Sequence, residues 1–154
     1  MDDIKQFKQA CLLEEHACLS GFVEQEVVAT ALTRALAAAA WSIGLVLAVA
    51  GDVGVFPVVL IVFPAILSFW LTDVYFSYVG VIYKMRRLEV RKLLAGFAAA
   101  SPQAVAEYAT PINPFDGIAR DGKVQALRDA VLSPAVFLPY VILELATVAV
   151  LLAR

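Results

Sequence analysis

From Phe56 to Lys92 the chain reads FPVVLIVFPAILSFWLTDVYFSYVGVIYKMRRLEVRK, and the order of these side chains leaves few ways to fold it. The run carries no charge before Asp73, bears aromatic side chains at Trp70, Tyr75, Tyr78 and Tyr83, and ends in the cations Lys84, Arg86, Arg87, Arg91 and Lys92. A helix rises about 1.5 Å per residue and a bilayer's hydrocarbon layer is about 30 Å thick, so a helix of this length crosses the layer and emerges from it. Tryptophan and tyrosine settle at the interface and Lys/Arg are retained inside, which makes the basic end the cytoplasmic one.

Composition extends this to the whole chain. With 154 residues, 62% of them hydrophobic, and a mean hydropathy of +0.82, there is more apolar surface than a soluble core of that size can bury. The fold class expected is all-α, a polytopic membrane protein with three transmembrane helices and a cytoplasmic helical region, built as a single membrane domain over 1–154. The net charge of -2 carries little information by itself. More telling is that every Lys and Arg except Arg154 falls on a stretch assigned here to the cytoplasm or its membrane edge. Residues 1–30 are charged and lack the apolar core of a cleavable signal peptide, so the first span is expected to act as its own insertion signal. Cys11 and Cys18 both fall on the predicted cytoplasmic side, where a disulfide framework is not expected.

Residues 1–32 read as a charged amphipathic helix with Asp2 and Asp3 at its positive end and Leu12, His16, Leu19 and Val23 on one stripe. No Gly-Pro punctuation separates it from the first span, 33–50, so one continuous rod is predicted, with Gly21 as its weak point. Ala40, Gly44 and Ala48 repeat every four residues, the spacing that lets two helix backbones approach, although an alanine-rich span also produces it by chance. Gly51-Asp52-Val53-Gly54 is a tight outer turn. The second span, 55–83, has Pro57 in its first turn and Pro64 inside, where a kink is expected. Residues 84–130 form a cytoplasmic basic helix and loop. Within them 102–108 read as a short helix, 110–117 as irregular, and Asp121 as the cap of a surface helix whose Val124, Leu127 and Val131 follow helical spacing beside Arg120, Lys123 and Arg128. Ser133-Pro134 restarts the helix of the third span, 131–153, and Pro139 should kink it.

Counting outward from the turn puts Arg34 and Asp73 at one level near the inner hydrocarbon boundary. An unpaired charge costs about 2.5–3.5 kcal/mol at a span centre and less near its edge, so a membrane ion pair is the natural inference, separate snorkelling being the alternative. In the third span Phe137, Tyr140, Glu144, Thr147 and Leu151 form one stripe with an acid at mid-membrane. Tyr140, Glu144 and Thr147 are therefore candidates for a pore lining, where Glu144 would form an acidic ring in a symmetric oligomer, or for an interhelical polar stripe with Glu144 protonated or paired with Arg34. The cations from Lys84 to Lys92 read as topology determinants and lipid-headgroup contacts, with Trp70, Tyr75, Tyr78 and Tyr83 as interface aromatics, and no nucleic-acid partner is expected. Cys11, His16 and Cys18 lack metal-ligand spacing, and neither metal nor cofactor is expected. Asp116-Gly117-Ile118-Ala119-Arg120 resembles the opening of the CDP-alcohol phosphatidyltransferase signature. The later metal-binding positions hold Asp129, Ser133 and Phe137, so the metal cage cannot form and an enzyme is not expected.

At Phe69-Trp70-Leu71-Thr72-Asp73-Val74-Tyr75-Phe76, followed by Tyr83-Lys84, the chain resembles the SLATT family of small bacterial membrane proteins associated with SMODS and SLOG sensor domains. The resemblance rests on those positions and on the architecture of residues 1–95: a long N-terminal helix, a tight two-helix hairpin and a basic helix beyond it. Where the family pattern has a Glu-Arg pair, this chain has Gly80-Val81. The resemblance implies a homo-oligomer of the bacterial inner membrane that permeabilises it when a partner senses infection or a nucleotide signal; the basic end of the second span, being cytoplasmic, places the N-terminus in the cytoplasm and the C-terminus outside. The expected function is thus a pore-forming or membrane-disrupting effector, possible partners being the bilayer, further copies and a soluble cytoplasmic sensor. The alternative is a non-conducting scaffold that recruits a soluble partner.

Overall fold

The computed structural model describes residues 2–51, 55–97, 115 and 118–153. Asp52 to Gly54, the expected short helix at 102–108, and Asp116 and Gly117 of the phosphatidyltransferase-like stretch lie outside the described residues. Four α-helices are present and no strand occurs among the described residues: α1 (Asp2–Ala50), α2 (Val55–Phe97), α3 (Arg120–Leu132) and α4 (Pro134–Leu152). Among the described residues three stretches are long and apolar enough to cross a membrane, within Gln6–Ala50, Phe56–Gly96 and Arg120–Val150. The chain is an all-α membrane protein.

The helix boundaries follow local chemistry. α1 is unbroken through Gly21 and stops where the Gly51 N–H donates to the Leu47 carbonyl at 2.9 Å. α2 starts with Pro57 in its first turn, where no N–H is needed, and stays helical across Pro64. α3 begins at Arg120, so Asp121 stands in the first turn and not at the cap as expected; its carboxylate still meets the positive end of the helix. Ser133-Pro134 restarts the helix as expected, α4 beginning at Pro134, because a proline pushes the residue before it out of helical conformation: Ser133 is extended, with φ -64 and ψ 119. Its carbonyl accepts from the N–H groups of Val136 and Phe137, and α4 continues through Pro139.

The chain divides into two compact units. The first comprises Met1–Val27 and Val79–Ala126. In it the early part of α1 packs antiparallel on the late part of α2, around buried Leu12, Leu19 and Val90 with Tyr83 and Leu94 against them. Phe22 stacks on Tyr83 with ring centroids 5.0 Å apart. Glu26 bonds Lys84 at 3.1 Å, and it sits where a side chain on Gly80 would stand. Such burial against water is what makes an amphipathic stripe hold a helix in place.

The second unit comprises Val28–Tyr78 and Leu127–Arg154. One cluster joins Ala37 and Ala48 of α1, Val58, Val62 and Ile66 of α2, and Tyr140 of α4. A second joins Val74, Ala130 and Val136. Of the small-residue repeat, Ala48 is buried and Gly44 approaches α2 closely enough that a Cβ there would meet Val62 at 3.2 Å, while Ala40 is exposed. In lipid the hydrophobic effect does not drive helix association, so this fit and the polar contacts described next are what specify the bundle.

Candidate functional site

Asp73 is the polar centre of the second unit. Its side chain is 0% exposed and accepts from Arg34 twice, from Nε at 2.7 Å and from Nη2 at 3.3 Å. The paired geometry fixes the guanidinium in its plane and neutralises a carboxylate that could not stand alone at this depth. Tyr140 reaches the same group from α4, its hydroxyl 3.3 Å from Asp73 Oδ2 and 3.4 Å from the Phe69 carbonyl oxygen. Both are long for an O–H donor, so Tyr140 contributes direction more than strength. The arrangement ties three helices together.

A second tie lies further along α4. Trp41 Nε1 donates to Thr147 Oγ1 at 2.7 Å, and that hydroxyl donates to the Leu143 carbonyl at 2.9 Å. Trp41 was not singled out from sequence. Its signal was available, since an indole N–H inside an apolar span needs an acceptor and Thr147 was already on the predicted polar stripe.

The stripe therefore divides. Tyr140 and Thr147 are buried and engaged within the chain, whereas Glu144, between them in sequence, is half-buried and lines a groove of about 350 Å³ between α2 and α4 with Phe63, Trp70, Phe137 and Val148. Among the described residues no ion-pair or hydrogen-bond partner reaches the Glu144 carboxylate, and the alternative pairing with Arg34 is overturned because Arg34 is held by Asp73. The Trp70 indole N–H, on the same groove, is buried without a partner. The Leu151 side chain lies outside the described residues.

The basic run also divides. Arg86, expected to face headgroups, is 5% exposed: its Nε lies 2.8 Å from Glu15 Oε1 and its Nη1 3.2 Å from Glu89 Oε2. The reason is helical phase, since Ile82, Arg86 and Val90 stand four apart on the face of α2 turned toward α1. Tyr83, expected at the interface, is packed on Phe22 for the same reason. Lys84, Arg91 and Lys92 are exposed and Arg87 half-buried. Of the other aromatics, Tyr75 is 61% exposed, Tyr78 half-buried, and Trp70 packs against both clusters of the second unit.

Among the described residues no three His, Cys, Asp or Glu side chains come together to hold a metal ion. No protein-family model, curated protein or solved structure matches the chain.

Proposed function

We propose that the chain assembles with copies of itself in the bacterial inner membrane, N-terminus cytoplasmic, and that the assembly permeabilises the bilayer as an effector, the role that the SLATT resemblance implies. The observation that carries this reading is Glu144: an acid midway along a membrane helix, on the groove side of α4, with no partner among the described residues. Such a group is tolerated only beside water or a partner, and further copies supply either. Burial agrees in direction, since only 17% to 28% of each apolar window is enclosed by the chain itself.

Reconstitution into planar bilayers tests the reading. Stepwise cation-selective currents together with a discrete oligomer in native mass spectrometry are expected, whereas a monomer without conductance overturns it. Expression from an inducible promoter should depolarise the cells and arrest growth. Cysteines placed at Asp52 and Gln103 test the orientation: labelling of position 103 by an impermeant reagent from outside would reverse it.

A recruiting scaffold is the second reading, favoured by the exposed apolar side chains Phe7 and Leu13 on α1, 69% and 54% exposed. A non-conducting oligomer that retains a soluble protein through these residues would select it.

A further inference from the structure

The first unit contains a cleft of about 550 Å³ between the early part of α1 and the late part of α2, with a composition unlike the rest of the molecule. Lys84, Arg87 and Arg91 line it from α2 and His16 from α1, with Leu13 and Leu88 among its apolar residues, and among the described residues no carboxylate lines it. Two carboxylates of α1 are engaged within this unit. Glu15 bonds the buried Arg86 and Glu26 bonds Lys84. Arg87 and Arg91 are thus left, among the described residues, without an acidic partner, although they stand one helical turn apart on the same face.

We infer that this cleft is a binding site for a phosphate group. Two guanidinium groups at i and i+4 present planar forks of N–H donors that match phosphate oxygens bidentately. A cleft of this volume is in the range of small-ligand sites. Its leucines give it room for an apolar portion attached to the phosphate. The half-buried position of Arg87 screens it from solvent more than a surface cation is screened, which strengthens its attraction to an anion. The inference rests on the charge accounting within this unit and stands whether or not the protein conducts.

The same phosphate chemistry is offered by an anionic lipid headgroup and by a soluble phosphate compound, and two arms distinguish them. In one, the full-length protein is placed in nanodiscs of phosphatidylcholine with or without phosphatidylglycerol, and retained lipid is read by native mass spectrometry. In the other, inorganic pyrophosphate is titrated into protein in phosphatidylcholine nanodiscs and the heat of binding is read. Saturable binding is expected in at least one arm, and the arm that shows it names the source. The double variant Arg87→Gln/Arg91→Gln should weaken that binding by about tenfold or more, while Arg120→Gln/Lys123→Gln, which removes cations outside the cleft, should leave it unchanged. Circular dichroism confirms that both variants keep their helices. No saturable binding in either arm, or equal loss in the two double variants, overturns the site.

Discussion

Asp73 is the residue whose loss of a partner should be felt most. Arg34→Ala leaves its carboxylate buried beside only the Tyr140 hydroxyl, 3.3 Å away. Breaking a buried pair from one side costs about 3–5 kcal/mol, and because the Arg34 side chain is 33% exposed the expected loss lies at the lower end of that range. Replacing both partners, Arg34→Met with Asp73→Leu, should cost less than Arg34→Ala alone, since no charge is then stranded. Thermal unfolding in detergent checks the order, and equal melting of Arg34→Ala and the parent protein would show that the pair does not stabilise the hairpin. Two glycines form a matched test at the same scale. A Cβ on Gly21 meets nothing within 4 Å, so Gly21→Ala should stabilise α1 by about 0.5–1 kcal/mol. At Gly80 the new methyl displaces the Glu26 side chain and with it the bond to Lys84, so the same helix gain is offset and the net change should fall near zero or below. A rise in melting temperature at Gly80→Ala as large as at Gly21→Ala would mean that Glu26 is not held there.

The elements differ in how far their contacts could be read in advance, and the difference is geometric. A four-residue turn between two antiparallel helices fixes their relative depth, so Arg34 and Asp73 could be paired by counting outward from Gly51 to Gly54. The stripe of Leu12, Leu19 and Val23 was legible because periodicity reports which face a helix buries. No such count reaches α4, which is separated from α2 by the long stretch 98–133, so its register against α1 and the Trp41 to Thr147 bond were out of reach. Arg86 was misassigned for another reason. A run of cations read as a group conceals helical phase, and the side chain four residues from both Ile82 and Val90 shares their buried face. The Trp41 to Thr147 tie is measurable as a double-mutant cycle. Trp41→Phe and Thr147→Val each remove one side of the bond, and the coupling between them should be about 0.6 kcal/mol, with about 1.7 kcal/mol as the upper bound for hydrogen bonds between membrane helices. Additive losses in urea or thermal unfolding would show that α1 and α4 are not coupled through these groups.

At the scale of the whole molecule, a membrane protein with so little of its apolar surface enclosed has two fates, to be solvated by lipid or to be covered by further protein. Glu144 discriminates between them. If lipid surrounds the groove, the side chain sits in hydrocarbon, where neutralising it removes an unfavourable charge; Glu144→Gln then stabilises the monomer and changes nothing else. If copies assemble about this face, several carboxylates converge on one wet path and set up a negative field that favours cations. Glu144→Gln keeps the size and hydrogen-bonding capacity of the side chain but removes that field, so the oligomer should persist while cation over anion selectivity, read from reversal potentials in asymmetric salt, falls toward unity. Glu144→Lys puts cations in the same place: in the assembled state it should reverse the selectivity or prevent assembly through like-charge repulsion. Tyr140→Phe serves as the internal control, because its hydroxyl points to Asp73 within the chain and its loss should lower stability slightly without altering selectivity. Currents of unchanged selectivity in Glu144→Gln would remove the acid from the conducting path, and with it the strongest argument for a pore built around α4.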